Sequence, residues 1–91
     1  MKVPTKIDGA RVLEWTWSEV PFGTIALTDG TGAVPIHGLA LCQYEGSDAV
    51  YRFSCNADWE TEQDAAYGSI AEAKAQLPNQ YGGAPVTWKK A

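Results

Sequence analysis

Alternation of apolar and polar positions dominates the first two thirds of the chain. From Val12 to Trp17, Leu13, Trp15 and Trp17 fall on one face of a strand, and Val12, Glu14 and Thr16 on the other. Pro21 interrupts the pattern because it has no N–H to give a ladder. Phe22 to Thr28 resumes it, with Ile25 and Leu27 on one face. Asp29-Gly30-Thr31-Gly32 then reads as a hairpin turn, since glycine tolerates positive φ. Val34 to Tyr44 is apolar on both faces, Glu45-Gly46-Ser47-Asp48 is the next turn, and Val50 to Cys55 alternates again. Asn56-Ala57-Asp58 marks a third turn, with a short strand from Trp59 to Gln63 after it.

The period then changes. Ser69-Ile70-Ala71-Glu72 fits a capping box, with Ser69 as N-cap and Glu72 reaching back. Ile70, Ala73 and Leu77 recur on one helical face, and Pro78 stops the helix. Pro85 to Lys89 offers a further edge strand with Val86 and Trp88 on one side. The pattern predicts a single α+β domain over residues 1–91. It is an antiparallel β-meander of four to five strands with one short helix, about 69–77, packed on one face.

If the Glu45–Asp48 turn sets Tyr44 opposite Ala49, Cys42 faces Tyr51 and Cys55 faces Gly38. Ile36, Ala40, Cys42 and Tyr44 then share the face of Tyr51, Phe53 and Cys55. Leu39 and Leu41 point the other way, beside Arg52 and Ser54. The first hairpin with Trp15 and Trp17, or a second chain, must cover them. The two sulfurs lie roughly 13 Å apart along the strands, beyond the separation of about 7 Å that a disulfide bridges. Both thiols are expected reduced and at least partly buried.

Composition narrows the function classes. Of the 91 residues 45% are apolar, a globular proportion. Thirteen of the apolar residues are Ala, so the core leans on ten aromatics and fifteen Val, Ile and Leu. The net charge of -4 argues against nucleic-acid binding, which needs a basic surface. No apolar run is long enough to span a membrane, and no signal-peptide core follows Lys2, so a cytoplasmic protein is expected.

Candidate chemistry is sparse. His37, Cys42 and Cys55 are the only His and Cys; they are too few for a structural zinc site, and His37 and Cys42 face opposite sides of a strand. Neither thiol nor any Ser stands next to a base in a nucleophile motif. Gly30-Thr31-Gly32 lacks the ending of a phosphate loop, and Ala33 stands where a calcium loop needs an oxygen. No catalytic residue, cofactor or metal is assigned.

Two features retain a functional reading. Residues 45–64 carry six acids against Arg52, and Glu60, Glu62 and Asp64 alternate along the expected strand. Such a row fits first a solvated edge that deters aggregation, and second a landing strip for a basic partner. The tryptophans fit core or interface anchors. The sequence therefore points to a small non-catalytic protein-interaction module, monomeric or homodimeric; an inhibitor or immunity-type protein fits its size and charge. Its partner-binding residues are expected to be Trp59, Glu60, Glu62 and Asp64, with Leu39 and Leu41. The alternatives are a carbohydrate-type small-ligand binder using exposed Trp and, third, a small hydrolase or isomerase.

Overall fold

A computed structural model describes residues 2–91; Met1, within the domain expected over 1–91, lies outside the described residues. The strands are β1 (Lys6–Ile7), β2 (Ala10–Trp17), β3 (Gly23–Ala26), β4 (Ala33–Ile36), β5 (Gly38–Gln43), β6 (Val50–Cys55), β7 (Thr61–Tyr67) and β8 (Lys89–Lys90), with one helix, α1 (Ile70–Ala75). All pairings are antiparallel. The main sheet is curled and runs β1-β2-β5-β6-β7, with β8 also on β2; β3 and β4 form a separate hairpin. The protein is a small α+β domain, and among the described residues no helix is long and apolar enough to cross a membrane.

The β5–β6 register follows from the four-residue turn. Cys42 pairs with Tyr51 and Gly38 with Cys55, so the two thiols are free and sit at separate rungs. Ala40, Cys42, Phe53 and Cys55 form one buried face together with Ile7, Ala10, Val12 and Trp59. Val12 joins Trp15 and Trp17 on this face rather than opposing them. The register shifts between Val12 and Glu14, and the extra residue reverses the parity of the strand.

Leu39 and Leu41 do point to the opposite face and are fully buried within the chain. Trp15 and Trp17, on the other side of the sheet, take no part in covering them. Leu41 packs with Val50 and with Ala73 of α1, flanked by Ile70, Tyr67 and Trp88. Leu39 packs with Phe22, Ile36 and Tyr81. Ile36 is on this face because the expected long strand breaks at His37, which assigns Ile36 to the β3–β4 hairpin.

Ser69 caps α1, its Oγ accepting from the Glu72 N–H at 3.0 Å. Such a cap is worth about 1 kcal/mol. The helix ends at Ala75, earlier than Pro78 requires, with Gln76 as its C-cap. Ala73 is fully buried; Ile70 and Leu77 are half-buried. The expected strand at Pro85–Lys89 is reduced to Lys89–Lys90, which pairs with Trp15 and Glu14.

One clamp joins these parts. Glu14 is only 3% exposed, and its carboxylate receives Lys74 Nζ of α1 at 2.7 Å and Lys90 Nζ of β8 at 3.1 Å. The Lys74 hydrogen bond holds the carboxyl below its ordinary 4.5, against the upward push of burial, and Lys90 adds to the lowering. A depressed folded value means that this stabilisation is complete above the unfolded value and is lost as pH falls through the folded one. Urea unfolding from neutral pH down through about pH 3 should therefore show a steeper acid loss for the wild type than for Glu14→Gln. Leu41→Lys should cost about 4 kcal/mol or more, because it buries an ammonium against α1. Circular dichroism should show that variant unfolded rather than folded with a changed oligomeric state.

Candidate functional site

The turn between β6 and β7 is built by Asn56. Its side-chain Oδ1 accepts from the N–H groups of Asp58 (2.9 Å) and Glu60 (3.0 Å). Its backbone N–H donates to the Glu60 carbonyl, and its carbonyl accepts from Trp59 N–H. Asn suits this place because its short amide replaces backbone partners in a turn. The wrapping forces Trp59 to φ 61, a left-handed conformation uncommon outside glycine. Trp59 is thus part of the turn, and β7 begins at Thr61 and runs on to Tyr67, longer and later than the expected Trp59–Gln63 strand.

The Trp59 ring lies against Gly38, where a Cβ would come within 2.7 Å of it. It meets Trp17 at 5.4 Å and, in a T-shaped arrangement, Trp15 at 6.4 Å between centroids, and Trp17 stacks on His37 at 5.7 Å. Trp59 itself is 9% exposed, whereas Trp15, Trp17 and His37 are half-buried. His37 Nδ1 lies 2.9 Å from the Ser18 carbonyl.

The same Asn56 gathers two carboxylates. Its Nδ2 donates to Glu60 Oε1 at 3.0 Å and to Glu62 Oε2 at 2.9 Å. Asp64 follows, paired with Phe53 across the ladder, beyond an irregularity that sets Thr61 opposite Cys55 and Gln63 opposite Ser54. Glu60, Glu62 and Asp64 are all exposed. Among the described residues, no ammonium or guanidinium lies within 4.0 Å of any of them; the ion pairs are those of Glu14. Among the described residues, the outer edge of β7 has no partner strand.

Of the six expected partner-binding residues, the fold brings Glu60 and Glu62 together at Asn56, with Asp64 next along the edge, whereas the Trp59 ring is turned into the core. Leu39 and Leu41 are removed from any partner surface by their burial beneath α1 and Tyr81. The sequence marks Asn56 only as the head of a turn and does not disclose that its amide gathers the two carboxylates.

The chemistry available elsewhere is limited. A cleft of about 440 Å³ is lined by Lys6, Arg11, Gln43, Tyr44, Glu45 and Ser47, away from the acidic turn. A second one of about 380 Å³ runs along Trp15 and Trp17 with Pro85, Thr87 and Lys89. The displaced carboxyls are displaced downward: Glu14 by its lysines, and Asp29 by hydrogen bonds from Thr31. No group of three His, Cys, Asp or Glu among the described residues could hold a metal ion.

Burial pushes the Cys42 and Cys55 thiols up to about 12, which leaves almost no thiolate at neutral pH. Both should resist alkylation in the native protein and take up two labels after unfolding, read by mass spectrometry; rapid labelling of the folded chain is the contrary result. No protein-family model, curated protein or solved structure matches this chain.

Proposed function

We propose that this chain is a small non-catalytic interaction module that docks a basic partner on the β6–β7 turn and the edge of β7. The observation that carries the reading is the pair Glu60 and Glu62, held on one amide nitrogen with no cation beside them among the described residues. Two carboxylates this close repel each other, by about 1 kcal/mol in water at 4 Å and more near a low-dielectric surface. An arriving Lys or Arg relieves that repulsion and finds its acceptors already oriented. Asp64 extends the negative field along the strand, and such a field steers charged partners and speeds their association. A protein that occludes a basic active site, as an inhibitor or immunity-type protein does, fits this surface.

The half-exposed Trp15 and Trp17 along a cleft favour a second reading, a carbohydrate-type ligand. It has less support, because Thr87 and Lys89 line that cleft where Asp, Asn or Gln would bind sugar hydroxyls. Lys89 Nζ already stands 5.3 Å over the Trp15 ring.

The test compares two charge-matched variants binding a fluorescent oligolysine peptide by stopped flow. One is Glu60→Gln/Glu62→Gln/Asp64→Asn; the control is Glu19→Gln/Glu45→Gln/Asp48→Asn. The wild-type association rate should fall with salt as the Debye length shrinks from about 10 Å at 0.1 M to about 3 Å at 1 M. The row variant should lose more of that rate than the control. Equal losses would mean that the row is only a solvated edge.

A further inference from the structure

Arg52 is 2% exposed, and no carboxylate among the described residues lies within ion-pair distance of it. Its side chain leaves β6 on the face covered by α1, opposite the small Ala65 of β7. Nε donates to Ser54 Oγ at 3.2 Å, Nη1 to Tyr67 Oη at 2.9 Å, and Nη2 to Gln63 Oε1 at 3.4 Å. The Tyr81 ring lies 5.7 Å from Cζ, and its hydroxyl donates to the same Ser54 Oγ at 2.8 Å. Every contact is neutral. A buried charge without a counter-ion is costly, and proteins normally pair it. The buried carboxylate on this face, Glu14, is occupied by Lys74 and Lys90.

A guanidinium has five N–H donors. Three are used here, and since Nε has a single hydrogen, one unused N–H remains on Nη1 and one on Nη2. Loss of the Gln63 bond would free a second N–H on Nη2, and guanidinium donors of this kind grip carboxylates. Gln63 makes the longest of the three bonds, is exposed, and lies on an unpaired edge strand. Its amide has the shape of a carboxylate, so the space it fills beside Nη2 is carboxylate-sized.

We propose that Arg52 is a receptor for a carboxylate group that enters at the β7 edge by displacing the Gln63 amide. The site lies on the face of the sheet opposite Asp64, and the buried guanidinium must outweigh the repulsion of Glu62 and Asp64, the exposed neighbours of Gln63 on the strand. Its ligand is a small free monocarboxylate or an acidic side chain on a segment laid along β7.

The test uses the intact protein. Its Tm and the NMR signal of the Arg52 Nε–H are followed during titration with acetate, against chloride at equal ionic strength. A saturable rise in Tm and a saturable shift of the Arg52 signal, seen with acetate only, are expected. Gln63→Glu supplies the carboxylate within the chain; it should raise Tm above wild type and abolish the acetate response. A short extended peptide carrying one Glu, compared with its Gln counterpart, distinguishes the sources. A response to the Glu peptide at lower concentration than to acetate assigns the carboxylate to a partner, and the reverse assigns it to a free ligand. If wild type responds to neither acetate nor the Glu peptide beyond the chloride and Gln-peptide controls, the proposal is overturned. A response to acetate that persists unchanged in Gln63→Glu overturns it equally.

Discussion

β5 is buried on both of its faces, and the rest of the fold arranges itself around that requirement. Gly38 through Cys42 are all buried, so this strand cannot lie at an edge or face water on either side. One side is met by the aromatic layer of Trp15, Phe53 and Trp59. The other needs a second layer, which the chain assembles from α1, Tyr81, Trp88 and the β3–β4 hairpin. Six helical residues bury little by themselves, so α1 persists because Leu41 gives Ala73 an apolar seat.

Charge is handled in three ways in this small volume. Glu14 is withdrawn from water and matched by two ammonium groups, which also tie α1 and β8 to β2. Arg52 is withdrawn and given only neutral acceptors. Glu60 and Glu62 stay in water but are drawn together by a neutral amide. The first arrangement is electrostatically closed. The other two leave one unmet demand for an anion and one for a cation.

What the sequence disclosed was whatever local rules govern. The Glu45–Asp48 turn fixed the β5–β6 pairing, and with it the faces of Leu39, Leu41, Cys42 and Cys55. Ser69 marked the start of the helix. What stayed hidden depended on distant residues or on an inserted one. The irregularity near Leu13 reversed the side of Val12, and the break at His37 reassigned Ile36; neither leaves a mark in the alternation. Lys74 and Lys90 reach Glu14 from 60 and 76 positions away, so its burial could not be read from the polar face of β2. At the candidate site, the acidic residues and Trp59 were visible as composition. Their convergence on Asn56 was not, because the turn consumes Trp59 and starts β7 later than alternation suggests.

The contact between Gly38 and Trp59 also works as a key in a slot. Along β5 only Gly38 lacks a side chain, and the indole of a turn beyond β6 rests on that bare backbone. Were β5 and β6 to pair two residues out of step, the apolar alternation would still be satisfied, and hydrophobicity alone would not reject the error. The slipped pairing would bring Ala40, or Ile36 from the neighbouring hairpin, toward the ring, where a Cβ leaves it no room. One missing methyl group therefore acts as a proofreading device, discarding mispaired sheets that the pattern of apolar residues would accept.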